Sequence, residues 1–283
     1  MTALPARDLA QIHVVAHRGS SDDAPEHTLS AYRRAIVDGA DALECDVRLT
    51  RDGHLVCVHD RRIDRTSNGR GIVSTLELAD LTELDWGSWR DNWEDYEDPE
   101  MPDRDRSQIL TLRSLLQAVA DSGRHVEVAI ETKHPTRYAG LVERRLIALL
   151  DEFGWGGAAA REDSPVRIMS FSQISLRRIR QLAPGLPTVF LMDRVPLRFR
   201  DGSLPTGVRV AGPSIDIVRA HPGYVDRAHR SGAAVHVWTV DHVADIELCA
   251  SLGVDAIITN RPKRVLEHLG RTGASPPAPA GGS

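Results

Sequence analysis

Three carboxylates in apolar surroundings are the residues of this chain that point most directly to chemistry. Glu44 and Asp46 lie two apart in the apolar run 42–47, so a β-strand would place both side chains on one face. Glu131 ends a second apolar run, 126–131. Burying unpaired charges is costly, so three converging carboxylates require cations to neutralise them. Their oxygen atoms suit a hard divalent cation, and the sequence predicts that the three together bind one Mg²⁺ or Ca²⁺.

Two histidines and two basic residues are predicted at the same place. His17 ends one apolar run and His59 follows another. Since imidazole has an unperturbed pKa of about 6.5, one histidine can take a proton while the other donates one. Arg18 and Lys133 offer donors for phosphate oxygens, although a salt bridge to one carboxylate would explain either residue alone. Phosphoester cleavage requires positive charge to stabilise the phosphate oxygens and groups that transfer protons, and a cation together with these four side chains would supply both.

The elements that must position these residues alternate between short apolar runs and amphipathic segments. Eight runs rich in valine and isoleucine have the length of buried parallel strands, at 13–17, 42–47, 126–131, 166–171, 188–192, 208–212, 234–240 and 256–259. Six helical patterns lie between them, at 28–38, 111–121, 137–152, 173–182, 222–231 and 242–251. The alternation predicts a (β/α)8 TIM barrel, in which active sites lie at the C-terminal ends of the strands.

A ninth apolar run, 55–58, follows the second strand too closely for a parallel crossover, which needs a dozen or more residues. Asp52-Gly53 is a hairpin turn signal. We therefore expect an inserted β-hairpin that folds the chain back along the second strand. This return is predicted to bring His59 opposite Glu44.

The remaining segments are a predicted cap and a predicted tail. The segment 61–108 is irregular, acidic and aromatic, which favours a cap over the barrel mouth. The alternative is a surface loop with a small core of its own; Trp86, Trp89 and Trp93 fall in this segment. We expect one domain over 1–269 and a disordered Pro/Gly-rich tail over 270–283.

Composition narrows the classes of partner. The chain has 283 residues, of which 41% are hydrophobic and 27% charged, with a formal net charge of −5. This mild negative charge gives no reason to expect nucleic acid, whose binding proteins usually carry a basic face. No apolar run approaches the length of a transmembrane segment. The three cysteines lack metal-type spacing, so we expect reduced thiols in a cytoplasmic protein, with a bridge between Cys45 and Cys57 left open. The oligomeric state is also left open.

The ordered set of motifs resembles the glycerophosphodiester phosphodiesterases. The matching strings are HRGSSDDAPEHT (17–28), ECDVRLTRDGHLVCVHD (44–60), DRTSNGRG (64–71), ETK (131–133), SF (170–171), VWTV (237–240) and GVDAIITNRP (253–262). The resemblance implies a phosphodiesterase barrel that hydrolyses small glycerophosphodiesters to sn-glycerol 3-phosphate and an alcohol. The path that we expect has the glycerol 2-hydroxyl attack phosphorus and passes through a cyclic phosphate.

The resemblance also implies roles for individual residues. Glu44, Asp46 and Glu131 would bind the cation, and the pair His17 and His59 would act as acid and base, in an order left open. Arg18 and Lys133 would contact phosphate. Trp238 would line the substrate pocket.

Two positions depart from the pattern that the resemblance implies. His27 stands where PENT has asparagine, and it could alter a loop hydrogen bond or add a titrating group near the site. Asp241 stands where VWTVN has asparagine, and it is expected to cap the helix at 242–251. Neither departure removes a predicted ligand or histidine.

Three alternatives remain at this point. A lysophospholipase D would act on lysophospholipids, and an apolar groove beneath the segment 86–93 would favour it. A non-catalytic phosphate-binding barrel would lack a ligand or a histidine. A barrel isomerase or aldolase would need a Schiff-base lysine or a late phosphate-binding glycine loop, and the sequence has no clear case of either.

Overall fold

A computed structural model describes residues 9–90, 104–134, 140–156 and 164–271. Eight parallel strands in these ranges close into a barrel, because β1 pairs with both β2 and β9. The strands are β1 His13–His17, β2 Ala42–Leu49, β3 Leu55–Cys57, β4 Glu127–Thr132, β5 Val166–Ser170, β6 Thr188–Met192, β7 Val210–Pro213, β8 Ala234–Val237 and β9 Ala256–Thr259, of which β3 alone runs antiparallel. The predicted (β/α)8 TIM barrel is confirmed, with small shifts of strand ends.

Helices connect the strands and cover the barrel. They are α1 Leu29–Asp38, α2 Leu78–Thr82, α3 Arg104–Ser107, α4 Leu112–Ala120, α5 Leu141–Glu152, α6 Gln173–Leu182, α7 Ile215–Ala220, α8 Gly223–Arg230, α9 Val243–Leu252 and α10 Pro262–His268. The six predicted helices are present, and the predicted start of α5 lies outside the described residues. Sequence reasoning missed the short helices, such as α7 and α10, since six or seven residues give little periodicity. At α1, Thr28 caps the first turn and Gly39 ends the helix in the left-handed conformation.

The predicted hairpin after the second strand is present. β3 pairs with β2 in the register Val47 to Cys57, and the turn closes with Gly53 at a φ of +89°. The last ladder bond runs from the Val58 N–H to the Asp46 carbonyl. His59 is therefore the first residue beyond the ladder, and the predicted alignment of His59 with Glu44 is wrong. The hairpin delivers His59 to the barrel mouth, but no strand pairing holds it there.

The barrel interior is apolar at its centre and polar towards both ends. The centre is filled by side chains that alternate with outward-facing ones, including Val15, Ala42, Ala129, Met169, Val189, Leu191, Ala256 and Ile258. On β2 the alternation continues inward with Glu44 and Asp46, which lie in the layer nearest the C-terminal ends of the strands, while Leu43 and Cys45 join the core between barrel and helices. At the N-terminal ends, Arg167 contacts Glu127 and His236.

The predicted cap has a small core of its own where the structure describes it. Trp86 is buried there with Leu81, to whose carbonyl it donates a hydrogen bond, and with Val56, Val58, Ile63, Val73 and Ile109. Arg90 donates to the carbonyls of Ser21 and Asp22 in the loop after β1, and this contact ties the segment to the barrel mouth. Residues 91–103, including Trp93, lie outside the described residues. The segment therefore combines the satellite core with contacts at the mouth.

Other expectations concern the thiols and the chain's end. All three cysteines lie in the described ranges, where they are buried and free. Gly270 and Arg271, which the sequence assigned to a disordered tail, are held in place: Arg271 pairs with Asp41 at 2.6 Å and donates to the Ile12 carbonyl. The rest of the predicted tail, 272–283, lies outside the described residues. No helix in the described ranges is long and apolar enough to cross a bilayer.

The layer between barrel and helices should dominate stability. Leu146 of α5 is fully buried in it, whereas Leu197 is 78% exposed. We expect Leu146→Ala to lower the free energy of unfolding by about 2–5 kcal/mol, because it removes buried methyl groups and leaves a cavity. Leu197→Ala, the matched control, should change it by less than about 0.5 kcal/mol. Urea denaturation of both variants measures this, and equal effects would contradict the assigned core.

Candidate functional site

The three predicted carboxylates converge inside the C-terminal end of the barrel. Glu44 and Asp46 come from β2, and Glu131 comes from β4, in a parallel register that places Asp46 beside Glu131. One oxygen atom from each carboxylate lies within 4.8 Å of the other two. The three residues are only 2%, 1% and 7% exposed. The two-residue period of β2 and the register of its neighbour therefore produce an acidic cluster that could hold a metal ion.

The three carboxylates of the cluster differ in the direction of their pKa shifts. Burial, and then the charge of Asp46, raises the pKa of Glu131 to about 8 and that of Glu44 well above its usual range. Burial also disfavours the charged form of Asp46, but Lys133 and His27 hold the pKa of that carboxyl well below its usual range. The Lys133 Nζ lies 2.9 Å from both Asp46 and Glu131. One lysine charge cannot neutralise three carboxylates, so the cluster favours additional positive charge.

His17 lies beside this cluster at the end of β1. Its backbone is in register with Glu44, and its Nε2 lies 4.0 Å from a Glu44 carboxylate oxygen. Its Nδ1 lies 2.7 Å from Oδ1 of Asn260, at the end of β9. Burial, together with the charge of Arg18, lowers the pKa of His17 to about 3. The imidazole is therefore neutral at physiological pH, with Nε2 directed at the acidic cluster.

Arg18 follows His17 in a left-handed conformation, with a φ of +58°. Its N–H lies 3.1 Å from both the carbonyl and a carboxylate oxygen of Glu44. Its guanidinium donates to Glu26 at 2.9 Å and lies 3.2 Å from Asp46, although the buried Nε is not aligned for a hydrogen bond. The side chain thus adds a second cation to the cluster and keeps a donor for an anion.

His27, the first departure from the family pattern, lies directly against the cluster. Its Nε2 lies 2.9 Å from Asp46, and its Nδ1 lies 2.8 Å from the Tyr32 hydroxyl. A carboxylate only accepts, so Nε2 carries the proton and donates it to Asp46. The residue is buried, and its backbone φ is +61°. His27 therefore orients a predicted ligand, a role more specific than the loop hydrogen bond that the sequence suggested.

His59 borders the same cavity as Glu131 and Lys133 and is held by a chain of charged hydrogen bonds. Its Nδ1 lies 2.7 Å from Asp60. Asp60 accepts a hydrogen bond from Arg65 at 2.6 Å. Arg65 also donates to both carboxylate oxygens of Glu26, at 2.7 and 2.8 Å. Glu26 in turn accepts from Arg18. This network links His59 to the loop after β1 and compensates for the missing strand pairing.

A cavity of about 310 Å³ opens beside His59 at the barrel mouth. Its lining includes the predicted residues Glu131 and Lys133 and the aromatic ring of Phe171. Trp238 packs edge-on against Phe171, with ring centroids 5.4 Å apart, and its Nε1 donates to the Gly212 carbonyl at 2.7 Å. Trp238 therefore lies at the mouth, one side chain removed from the predicted cluster.

Sequence reasoning missed several residues that complete the site. Glu26 and Arg65 belong to matching motifs but were given no role, and Asn260 was overlooked although it follows the last strand. His17 was selected because active-site residues lie at the C-terminal ends of barrel strands, and the same criterion would have selected Asn260. Asp241 does not cap α9: His242 holds the cap position without a side-chain bond, and Asp241 bonds Asn260 instead.

The chain matches known proteins over nearly its whole length. A family model described as "Glycerophosphoryl diester phosphodiesterase family" matches residues 17–264. The chain belongs to this family. A Mycobacterium tuberculosis (strain H37Rv) protein named "Probable glycerophosphodiester phosphodiesterase 1" is 49% identical over 258 residues, or 90% of this chain and 92% of the relative. A "Glycerophosphodiester phosphodiesterase" of Bacillus subtilis is 35% identical and covers 89% of this chain and 84% of its own length.

A solved structure matches the fold. A phosphodiesterase from Oleispira antarctica, in complex with the product sn-glycerol-3-phosphate, has a TM-score of 0.75 and 22% identity, and the match covers 92% of this chain and 98% of that one. Membership of the family makes this chain a hydrolase of glycerophosphodiesters. The alternatives of a non-catalytic barrel and of a barrel isomerase or aldolase are therefore set aside.

The ion pairs of Glu26 should appear in the pH dependence of stability. Burial alone would raise the pKa of Glu26, but Arg65 and Arg18 lower it from 4.5 to about 2. Because the unfolded chain then binds the proton more readily, this contribution is complete above pH 4.5 and is lost as the pH falls towards 2. We expect Glu26→Gln to lower the free energy of unfolding clearly at pH 7 and much less at pH 2.5.

Chemical denaturation at the two pH values measures this difference. Glu77→Gln removes the more exposed pair with Arg51 and serves as the control, with an expected effect of about 0–1 kcal/mol at pH 7. A Glu26→Gln penalty that is the same at both pH values would show that the charge of Glu26 does not stabilise the fold.

Proposed function

We propose that this family member hydrolyses glycerophosphodiesters with one bound divalent cation and a His17–His59 acid–base pair. The observation that carries the proposal is the convergence of three buried carboxylates with two histidines, His17 beside Glu44 and His59 in the cavity that Glu131 also lines. The cation would be Mg²⁺ or Ca²⁺. The products would be sn-glycerol 3-phosphate and an alcohol.

The donor set of the acidic cluster supports a hard cation. All of its ligand atoms are carboxylate oxygens, which Mg²⁺ and Ca²⁺ prefer. Burial, and then the charge of Asp46, raises the pKa values of Glu44 and Glu131, so a bound cation would stabilise their charged forms. Glu44, Asp46 and Glu131 would hold the cation, which would supply Lewis-acid stabilisation of the charge on phosphate oxygens. His27 and Lys133 would keep the Asp46 carboxylate oriented.

The surroundings of the two histidines favour different roles. Burial and the neighbouring Arg18 charge disfavour the cationic form of His17, and its Nδ1 faces only a neutral amide. Burial also lowers the pKa of His59, but its Nδ1 faces the Asp60 carboxylate, which favours an imidazolium. We assign His17 as the base that takes the proton of the glycerol 2-hydroxyl. His59 is the acid that protonates the departing alcohol, and the roles reverse when water opens the cyclic phosphate.

The phosphate and the glycerol would be held by residues around the cluster. Arg18 and Lys133 present cationic donors within reach of the same volume as the carboxylates. Trp238 and Phe171 supply apolar surface at the mouth. The glycerol half of the substrate is supported by the sn-glycerol-3-phosphate in the Oleispira antarctica phosphodiesterase. The cavity beside His59 would admit the alcohol.

The lysophospholipase D alternative gains no support from the described residues. An apolar groove beneath the segment 86–93 would have favoured it. Trp86 is buried in the satellite core, and the Trp89 indole N–H donates to the Trp86 carbonyl beside Arg65. Of the three tryptophans, Trp93 lies outside the described residues. A small glycerophosphodiester therefore remains the proposed substrate.

Chelation tests the cation. We expect excess EDTA to abolish release of sn-glycerol 3-phosphate from glycerophosphocholine and glycerophosphoglycerol, and added Mg²⁺ or Ca²⁺ to restore it. The same cation should raise the midpoint of thermal unfolding of the wild type, since it binds only the folded chain. Glu131→Gln should lose that rise. Full turnover in EDTA would remove the cation from the mechanism.

Substitution tests the histidines. We expect His17→Ala and His59→Ala each to lower kcat by about 10²–10⁴-fold, because each removes one proton-transfer group. Circular dichroism should show an unchanged fold. His54→Ala, an exposed histidine of the same hairpin, is the control and should retain wild-type kcat. Wild-type turnover by either test variant would exclude that histidine from the acid–base pair.

A further inference from the structure

Asp241 sits at the centre of a hydrogen-bond group on the side of His17 that faces away from the acidic cluster. Its Oδ1 accepts from the Thr259 hydroxyl at 2.9 Å and from the Asn260 backbone N–H at 2.8 Å. Its Oδ2 accepts from the Asn260 side-chain Nδ2 at 2.7 Å. A carboxylate offers acceptors only, so it must face the amino half of the Asn260 amide.

The opposite half of that amide is thereby fixed as well. Asn260 Oδ1 faces His17 Nδ1 at 2.7 Å and the Ser21 hydroxyl at 2.8 Å. The Ser21 hydroxyl could bond either half of the amide, since it can donate or accept, and it also reaches the His17 carbonyl. Asp241 is the partner that permits only one orientation of the Asn260 amide. Because the amide oxygen only accepts, His17 Nδ1 must carry a proton.

We infer that Asp241 is a positioning residue that, through Asn260, holds His17 in the Nδ1–H tautomer. In the neutral ring this leaves the lone pair on Nε2, which is directed at the carboxylate cluster, 4.0 Å from Glu44. The inference rests on the proposed role of His17 as a base, because only this tautomer presents a proton acceptor to the reacting group. The described hydrogen bonds of Asp241 go to Thr259 and Asn260, so it acts on His17 through the orientation of an amide.

The departure of this chain from the VWTVN pattern sharpens the inference. With asparagine at 241, the backbone N–H of Asn260 and the Thr259 hydroxyl would still require an acceptor at the Oδ1 position. The new amino group would then face the amino group of Asn260, two donors in contact. Asn260 would rotate by half a turn and present its own amino group to His17. His17 would be forced into the Nε2–H tautomer and would lose its acceptor.

The same reasoning predicts a rescue. In Asp241→Asn combined with Asn260→Asp, the amide at 241 donates to the carboxylate at 260. That carboxylate again accepts from His17 Nδ1 and Ser21. The exchanged pair has the same composition and net charge as the wild-type pair, and it restores an acceptor to His17.

The test measures the tautomer and the kinetics together. Two-bond ¹H–¹⁵N correlation spectra of Mg²⁺-loaded protein report which ring nitrogen of each histidine is protonated, and His17→Gln assigns the signal. We expect Nδ1–H in the wild type, Nε2–H in Asp241→Asn, and Nδ1–H again in the exchanged pair. We expect kcat on glycerophosphoglycerol to fall about 10–100-fold in Asp241→Asn, with KM nearly unchanged, and to recover at least tenfold in the exchanged pair.

Asp226→Asn is the matched control, because it makes the same substitution at a half-exposed ion pair on α8. It should alter neither the tautomer nor kcat. An Nε2–H signal in the wild type, or wild-type kcat and an unchanged tautomer in Asp241→Asn, would overturn the inference. If Asp241→Asn fails to fold, the wild type and the exchanged pair still decide it. Wild-type protein that shows Nδ1–H but cleaves no glycerophosphodiester would overturn the proposed function and leave the tautomer assignment standing.

Discussion

The burial of three carboxylates inside one end of a barrel is the constraint on which the rest of this site depends. Moving a charge out of water costs several kcal/mol in effective terms, and three like charges within 4.8 Å add mutual repulsion. Cations and donors from several elements compensate this charge: Lys133 from the residue after β4, and Arg18 and His27 from the loop after β1. The layer is stable only because these elements meet.

This compensation also determines how the two histidines are held. His17 stands on a strand and is fixed from behind by Asn260 at the end of β9. His59 has no strand pairing, and a line of ion pairs through Arg65 and Glu26 ties it to the same loop that carries Arg18. Arg18 thus belongs to both arrangements, because it compensates the cluster and also ends the chain of ion pairs that positions His59.

The parts of this arrangement that depend on local pattern were predictable from sequence. The two-residue period of a strand places Glu44 and Asp46 on one face, and the turn at Asp52-Gly53 reveals the hairpin before His59. The parts that depend on distant pairing were not. Asn260 lies 243 residues from His17, and its contact exists only because β9 closes the barrel against β1. Asp241 was expected to cap a helix, because a capping pattern is local whereas its actual partners come from β9 and the residue after it.

The exchange of asparagine for aspartate at 241 shows why residue type alone does not define such a site. An asparagine has a donor and an acceptor, so its orientation depends on its neighbours, while an aspartate imposes orientation on them. Placed beside Asn260, the carboxylate removes the one rotational freedom that would blur the protonation of His17. At His59, the Asp60 carboxylate contacts the imidazole directly and favours its cation, against the burial that lowers the pKa of His59. The two histidines therefore differ because one meets a carboxylate and the other meets an amide that a carboxylate has oriented.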